Sequence, residues 1–298
     1  MATFVLAFAP FSVDQLMVQA FVPSLGGDFA ALAKDMQQGA QLAEAELNAK
    51  GGLLGRKVEL VIYDDQSTPA TAVRLYEKLI TEDKVDAVMG PYSSAVSEAV
   101  ANVTEKYKKV MVAPLAATTS IFKKGRKYIF MVITPAENYL DGLIDMAARR
   151  GLKTVAIINE DTLFPKASAA GTVEAAKKRG MQVVLQESYP KGNTDFSALL
   201  VKIKAVNPDV IAAGTYFDDA VAITRQMKEL NVNPKMFGLT VGGDLPEFYD
   251  WIPCVVKRNG SRAELSTRAR ISNLHERPAR RSSYLPGEYL LGKRMPSN

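Results

Sequence analysis

Two adjacent serines at the start of a helical pattern are the first side chains in this chain that could do chemistry. Segment 90–94 reads Gly-Pro-Tyr-Ser-Ser and follows a short apolar run. Hydroxyls and unpaired N–H groups at a helix N-terminus bind a carboxylate well, so Ser93 and Ser94, with Tyr92 beside them, could capture an anion. The alternative interpretation is an ordinary helix N-cap at Ser93 or Ser94.

A second candidate is a segment of small residues, 116–120, which also follows an apolar run. Ala116 and Ala117 would let backbone groups approach a ligand closely, and the hydroxyl of Thr118 offers both a donor and an acceptor. The alternative is a turn with a capping threonine. Both interpretations stay open at this stage.

A third candidate places an aromatic ring beside carboxylates. Tyr216 precedes Asp218 and Asp219 after another apolar run. An aromatic wall with an acidic partner suits a ligand that has an apolar part and an ammonium group. The alternative is a helix start that is capped by an aspartate.

Signatures of catalysis are largely missing from the sequence. Asp64 and Asp65 could hold Mg²⁺, but no third carboxylate or lysine stands at a telling spacing, so a turn with a helix cap, or a contact to an opposite lobe, is favoured. The sequence has no glycine-rich nucleotide or phosphate motif and no nucleophile elbow. With His275 as the only histidine, a catalytic triad has no base. We therefore expect no enzyme, no metal and no cofactor.

Strand and helix patterns alternate along the chain, which indicates βαβ units, parallel sheets and an α/β fold. The predicted strands are Val18–Pro23, Val58–Tyr63, Ala87–Met89, Val110–Ala113, Phe130–Ile133, Thr154–Ile158, Val183–Tyr189, Val210–Ala213 and Met236–Leu239. The predicted helices are Asp35–Lys50, Pro69–Glu82, Ser94–Tyr107, Glu137–Arg150, Lys166–Arg179, Phe196–Val206 and Asp219–Leu230. Ligands of open α/β sheets lie beyond the carboxyl ends of the strands, where the three candidate segments fall.

The first helix carries its own packing prediction. Asp35 is expected to cap its start, and the Gly51-Gly52 pair to end it. Several of its residues are spaced by three and four and so share one face, which we expect to be apolar and buried: Met36, Gly39, Ala40, Leu42, Ala43 and Leu47.

Charge divides the chain into a body and a tail. Residues 1–250 hold 27 Lys+Arg and 29 Asp+Glu, a balance of −2, whereas residues 251–298 hold 10 and 3, a balance of +7, which together give the net +5. The tail also holds the only Cys, Trp and His and shows no helical or strand period. We interpret it as a frameshifted or disordered segment. A basic arm that binds nucleic acid is the alternative.

The segment 35–66 opens a resemblance to a known family. It contains NAKGGLLGR and ends at the aspartate pair, and its order with later motifs is similar to type I periplasmic binding proteins of the Leu/Ile/Val-binding kind. Those proteins deliver amino acids and amides to ABC transporters. The resemblance covers residues 16–250, and its later motifs lie at residues 90–94, 113–118, 195–197 and 207–209.

The resemblance implies a two-lobed fold, with parallel sheets flanked by helices and the ligand between the lobes. We expect the lobes at residues 1–136 and 137–250, the second of them incomplete, followed by a tail at 251–298 that does not match the family.

The resemblance also implies roles for individual residues. Ser94 and Thr118 would bind the ligand carboxylate, with the backbone of Ala116 nearby. Tyr92 and Phe164 would wall the cleft, and Tyr216 would enter it from the second lobe. Either Asp218 or Asp219 could meet an ammonium group. Thr240 departs from the family, because Leu/Ile/Val binders carry an acidic residue there.

The sequence therefore predicts a substrate-binding protein of an amino-acid-type ABC importer. Its partners would be a small amino-acid or amide ligand and a membrane permease, and no nucleic acid. One alternative is a ligand-sensing receptor module of the same fold, and a second is a Mg²⁺-dependent flavodoxin-like enzyme.

The resemblance implies a periplasmic or lipid-anchored extracellular location. The apolar stretch 4–13 has no basic residue before it, so we expect no convincing signal peptide.

Overall fold

Nine strands form two parallel sheets in the part of the chain that this computed structural model describes, residues 17–21, 23–245 and 247–248. The strands are β1 (Met17–Phe21), β2 (Val58–Ile62), β3 (Ala87–Met89), β4 (Met111–Ala113), β5 (Ile129–Met131), β6 (Thr154–Glu160), β7 (Gln182–Tyr189), β8 (Val210–Gly214) and β9 (Met236–Leu239). The first sheet has the order β2-β1-β3-β4-β5, and the second has the order β7-β6-β8-β9. Each neighbouring pair in both sheets is parallel.

Seven α-helices connect these strands within the described residues. They are α1 (Ala30–Ala49), α2 (Pro69–Thr81), α3 (Ser94–Tyr107), α4 (Asp141–Arg149), α5 (Leu163–Lys178), α6 (Ser197–Val206) and α7 (Phe217–Glu229). Short 3₁₀ helices lie at Gly27–Phe29, Thr119–Ile121 and Ala136–Asn138. The α/β fold with parallel sheets and flanking helices is confirmed.

Local sequence explains where several helices begin and end. Pro69 opens α2, where a missing N–H costs nothing. Asn207 ends α6 in the left-handed conformation, with φ 45°, and Pro208 follows it. Gly52 donates its N–H to the carbonyl of Leu47 at the end of α1, so the predicted glycine stop is confirmed.

Two predictions about α1 are wrong. The helix begins at Ala30, five residues before the expected cap at Asp35. Its predicted apolar face is not buried, since Leu42 is 62% exposed and Ala43 is also exposed, whereas Ala33 is fully buried. Helix α1 therefore contacts the core near its N-terminal end, at Ala33, and not along the predicted apolar face.

Two other boundaries also differ from the prediction. The expected helix at 137–150 is divided into the 3₁₀ helix Ala136–Asn138 and α4. Helix α5 begins at Leu163, three residues earlier than expected, so Phe164 lies in its first turn rather than in a loop. Pro165 fits there because the first turn of a helix tolerates a residue without an N–H.

The connections of the first sheet leave part of one face open. The step from β1 to β2 runs in the opposite direction to the steps from β2 to β3 and from β3 to β4. Right-handed crossovers therefore place α1 on one face and both α2 and α3 on the other. The strands β4 and β5 bury one set of alternating residues, including Met111 and Ile129. The other set forms an exposed apolar face: Val110, Val112, Phe130 and Val132.

Each sheet has its own apolar core. The largest fully buried side chains of the first include Tyr76 and Met111. The second sheet is covered on both sides, with Ile157 in one cluster and Ile158, the next residue, in another. This alternation is what a parallel strand buried on both faces requires.

Among the described residues, no helix combines the length and hydropathy needed to cross a bilayer. The same residues contain no group of three or more His, Cys, Asp or Glu side chains arranged to hold a metal ion. The basic tail at 251–298 and the apolar stretch at 4–13 lie outside the described residues, so the predictions made for them stay predictions.

Candidate ligand-binding site

Loops from both sheets meet at the carboxyl ends of their strands. The loop after β1 leads to Phe29, the loop after β3 holds Tyr92, and the loop after β4 holds Thr118. From the second sheet, α5 brings Phe164 after β6, and Tyr216 follows β8. Four of these side chains are aromatic, and we call Phe29, Tyr92, Phe164 and Tyr216 the aromatic cluster.

The aromatic cluster is buried and closely packed. Tyr216 lies at its centre and contacts the other three rings, with its centroid 4.9 Å from that of Phe29 and 6.4 Å from that of Tyr92. The centroids of Phe29 and Tyr92 are 5.3 Å apart. The ring of Phe164 lies 5.7 Å from Tyr216, and that of Tyr139 packs edge-on against Phe164 at 5.1 Å. The clustered rings are between 5% and 8% exposed, so rings from the two sheets exclude water together. Burial raises the pKa of both Tyr92 and Tyr216, so both phenols stay neutral.

The two predicted serines have different positions. Ser93 is the N-cap of α3, and its hydroxyl oxygen accepts a hydrogen bond from the N–H of Val96 at 3.3 Å. Its φ of 74° lies in the left-handed region, where a residue other than glycine is strained. The hydroxyl oxygen of Ser94 accepts a hydrogen bond from the N–H of Thr118 at 3.2 Å. The N-cap interpretation therefore holds for Ser93, while Ser94 joins two of the candidate loops.

The segment of small residues contacts the 3₁₀ helix Ala136–Asn138 and the start of α5. Ala116 and Ala117 are buried, and the carbonyl of Ala117 accepts a hydrogen bond from the N–H of Ala136 at 2.8 Å. Thr118 is 2% exposed, and its hydroxyl donates to the carbonyl of Leu163 at 3.5 Å. A hydroxyl proposed to bind a ligand thus also connects the loop after β4 to the start of α5.

The two predicted aspartates differ in how far they are already engaged. Asp219 is buried and accepts hydrogen bonds from the N–H groups of Tyr216 and Ala220 and from the phenol of Tyr189, at 2.8, 3.1 and 2.6 Å. Burial raises the pKa of Asp219, although these hydrogen bonds oppose the shift. Asp218 is exposed at the rim, where partial burial and the negative charge of Asp28 raise its pKa.

A buried carboxylate that the sequence did not suggest lies beside Asp219. Glu160 ends β6, is 6% exposed and accepts a hydrogen bond from the hydroxyl of Thr162 at 2.6 Å. Burial raises its pKa, and the charge of Asp219 adds to the shift, whereas Lys191 opposes it. The second sheet's side of the site is therefore acidic.

The paired aspartates after β2 hold loops of the first sheet. Asp64 accepts hydrogen bonds from the N–H groups of Gly26 and Gln66, at 3.1 and 2.8 Å. Asp65 is fully buried and accepts from the N–H of Ser67 at 2.8 Å. The predicted turn is confirmed. The predicted helix cap is wrong, because the N-cap of α2 is Thr68, without a side-chain hydrogen bond.

Phe29 and Tyr139 belong to the site although sequence patterns did not single them out. Phe29 comes one residue after the segment 24–28, which follows the first strand. Its position directly after that segment is the signal that could have identified it. Tyr139 follows the 3₁₀ helix Ala136–Asn138, where a continuous helix was expected. Its ring orientation depends on that irregular turn and has no signal in the sequence.

This arrangement can hold a small ligand with a carboxylate and an apolar part. The first sheet contributes the hydroxyls of Ser94 and Thr118 and the N-terminus of the 14-residue α3. The second sheet contributes the buried carboxylates of Glu160 and Asp219, and aromatic rings come from both sheets. A nucleophile with a base beside it, as hydrolysis requires, is not among these residues.

Comparisons with known proteins show the family of this chain. The family model for periplasmic binding proteins matches residues 20–248, and the chain therefore belongs to that family. It is 31% identical over 238 residues to the Leu/Ile/Val-binding protein BraC3 of Rhizobium johnstonii, covering 78% of this chain and 63% of that protein. It is 26% identical to the Leu/Ile/Val-binding protein of Escherichia coli, covering 78% and 64% of the two chains.

Solved structures show the same fold. The branched-chain amino acid substrate-binding protein LivJ of Streptococcus pneumoniae, in complex with isoleucine, aligns with a TM-score of 0.68 at 27% identity, covering 80% of this chain and 67% of that chain. The leucine-binding protein LivK of Thermotoga maritima aligns with a TM-score of 0.73 at 24% identity. This chain spans less than two thirds of the length of both curated relatives.

Proposed function

We propose that this protein is the substrate-binding component of an ABC importer and that it performs no chemistry. Its ligand would be a small amino-acid-like or amide solute, and its partner a membrane permease. The observation that carries this proposal is the buried meeting of hydroxyl loops and aromatic rings from two separate sheets. Its membership of the periplasmic binding protein family supports the same conclusion.

The ligand carboxylate would bind at the start of α3. Ser94 is the first residue of that helix, and its hydroxyl already lies 3.2 Å from the N–H of Thr118. A ligand carboxylate placed there would accept hydrogen bonds from the hydroxyls of Ser94 and Thr118. It would also interact favourably with the positive end of the dipole of α3.

The apolar part of the ligand would lie among the aromatic cluster. Each ring in the cluster contacts at least one other, so a ligand can enter only if rings separate. Phe29 and Tyr92 follow strands of the first sheet, whereas Phe164 and Tyr216 follow strands of the second. Ligand entry therefore requires the two sheets to move apart and then close, a hinge motion between lobes at residues 1–136 and 137–250.

An ammonium group on the ligand would meet the acidic end of the site. Asp218 is the more accessible aspartate, while Asp219 already accepts three hydrogen bonds. The hydroxyl of Thr240 is engaged in turn, since it donates to the carbonyl of Thr215 at 2.9 Å and accepts from the N–H of the same residue at 2.8 Å. Thr240 therefore serves the local backbone rather than the ligand.

A thermal-shift screen with leucine, isoleucine, valine, an aliphatic amide and benzoate tests this function. A ligand present at about 100 times its Kd stabilises a protein by about 2.7 kcal/mol, which corresponds to a rise in Tm of roughly 5–10 °C for a protein of this size. We expect one of these solutes to produce such a shift. Saturating concentrations without any shift would refute the proposal.

A pair of serine variants tests the site itself. Ser94→Ala should weaken binding at least about tenfold, because the buried carboxylate would lose a hydrogen bond worth roughly 1.5–3 kcal/mol. Ser197→Ala is the matched control, because Ser197 is also the first residue of a helix, α6, and lies outside the aromatic cluster. Equal affinities of the two variants would argue against the assigned site.

A further inference from the structure

A lysine in the loop after β7 of the second sheet contacts two residues in the segment that follows β1 of the first sheet. Lys191 lies two residues beyond the end of β7, and its Nζ is 2.7 Å from a carboxylate oxygen of Asp28. The same ammonium lies 5.3 Å above the ring centroid of Phe29. Because Phe29 belongs to the aromatic cluster and is buried, the Lys191 side chain joins the rim of the candidate site to its interior.

The loop that presents Asp28 and Phe29 is held rigidly. The N–H of Phe29 donates to the hydroxyl of Ser67 at 3.0 Å, and that hydroxyl donates to the carbonyl of Gly26 at 2.8 Å. Gly27 has a φ of 76°, and a Cβ at that position would lie 2.7 Å from the carbonyl oxygen of Gln66. The carboxylate and the ring are therefore presented on a fixed surface of the first sheet.

Lys191 is also presented on a defined turn. The N–H of Asn193 donates to the carbonyl of Pro190 at 3.2 Å, and Gly192 adopts a φ of 77°. The carbonyl of Tyr189, just before this turn, accepts a hydrogen bond from the N–H of Asp161 at 2.7 Å. A four-residue turn anchored to the sheet therefore carries the lysine toward the other half of the molecule.

Lys191 and Asp28 also act on other carboxylates of the site. Glu160 is buried and is close enough for the lysine to oppose the rise in its pKa. Asp28 also acts on the pKa of Asp218 at the same rim. An ammonium paired with Asp28 and lying over the ring of Phe29 gains both Coulomb and cation–π attraction.

We propose that Lys191 and Asp28 are positioning residues of the candidate site. Their ion pair holds the two halves of the protein, the lobes at residues 1–136 and 137–250, closed over the aromatic cluster. This inference rests on the proposed ligand-binding function. Breaking the pair should enlarge the open population and speed ligand release. Both side chains are partly exposed, so the expected change in the dissociation rate is about two- to fivefold.

The first test measures the distance between the halves without ligand. Spin labels would be attached to cysteines introduced at Asp35 on α1 and Thr194 beside the lysine turn, after Cys254→Ser removes the native thiol. We expect one narrow distance distribution for this labelled protein. Lys191→Gln and Asp28→Asn should each add a longer component, and Lys191→Arg, which keeps the charge, should not.

The matched control is another lysine–carboxylate pair of similar exposure. Lys202 pairs with Glu187 at 2.9 Å on the surface of the second half alone. Lys202→Gln should leave the label distance and the ligand dissociation rate unchanged. If Lys191→Gln behaves like Lys202→Gln in both measurements, the inference is overturned.

The second test measures dissociation of isoleucine by stopped-flow fluorescence. The rate should rise two- to fivefold in Lys191→Gln and return to the original value in Lys191→Arg. High salt should raise the rate of the unaltered protein more than that of Lys191→Gln. If isoleucine does not bind, that result counts only against the proposed amino-acid ligand. The label distances are measured without ligand, so they test the ion pair between Lys191 and Asp28 independently.

Discussion

Replacement of Gly171 by alanine should push apart α5 and the 3₁₀ helix Ala136–Asn138, two elements that position the loops of the candidate site. Gly171 lies in α5, and a Cβ at that position would be 1.9 Å from the carbonyl oxygen of Glu137. Normal contacts of a Cβ begin near 3.0 Å, so helix and backbone must move apart by about 1.1 Å. The opposing atom is a backbone carbonyl and cannot rotate away as a side chain could.

The cost of this displacement is that of an overpacked core, about 1–3 kcal/mol. Ala136 in the same 3₁₀ turn donates its N–H to the carbonyl of Ala117, next to the proposed carboxylate site. We therefore expect Gly171→Ala both to lower the free energy of unfolding and to weaken ligand binding. Urea unfolding followed by circular dichroism, with an unchanged m-value, gives the first quantity.

Gly39→Ala is the control for this prediction. Gly39 lies in the middle of α1, and nothing lies within 4 Å of the position of its added Cβ. Alanine is the better helix former, so this variant should be more stable by about 0.5–1 kcal/mol. If Gly171→Ala proves as stable as Gly39→Ala, the close contact between α5 and the 3₁₀ turn does not exist and the reasoning fails.

Three further variants test other parts of the structure. Tyr189→Phe removes the phenol that donates to Asp219 and should cost about 1–3 kcal/mol in urea unfolding; no loss would mean that this buried carboxylate needs no such partner. Burial raises the pKa of Asp65 above the 3.8 of an unperturbed aspartate, so the folded state binds this proton more tightly and loses stability as the pH rises from 3.8 through the folded pKa. The free energy of unfolding of Asp65→Asn should therefore rise relative to that of the unaltered protein as the pH increases over that window. If the two proteins show the same dependence of this free energy on pH, the raised pKa of Asp65 is contradicted. Val132 is 62% exposed on the apolar face of β4 and β5, so Val132→Lys should reduce light scattering on heating, and unchanged aggregation would show that this face is not responsible.

Local sequence patterns were sufficient to predict most of the strands and helices. The strands are short apolar runs, and they alternate with segments whose apolar residues have helical spacing. β3 and α3 have the predicted bounds, since Gly90 and Pro91 interrupt the pattern clearly. The packing of α1 could not be predicted in the same way. Apolar spacing shows which residues share a helical face, but the sheet connections decide what that face contacts. Leu42 is therefore exposed despite its favourable spacing.

The candidate site was predictable to the extent that it follows strand ends. Ser94, Thr118 and Tyr216 lie in the segments that follow strands β3, β4 and β8. The structure brings these segments into contact through the hydrogen bond between Ser94 and Thr118 and the ring contact between Tyr92 and Tyr216. The contacts of Phe29 and Lys191 could not be predicted, because they depend on how the two sheets approach each other. No local pattern encodes the 2.7 Å ion pair between residues of different sheets.

A crystal structure of the protein with isoleucine, or with whichever solute gives the largest thermal shift, tests the central claim most directly. We expect the ligand to lie among Phe29, Tyr92 and Tyr216, with its carboxylate within hydrogen-bonding distance of the hydroxyls of Ser94 and Thr118. A ligand bound anywhere else on the protein, with the aromatic cluster still closed on itself, would contradict it.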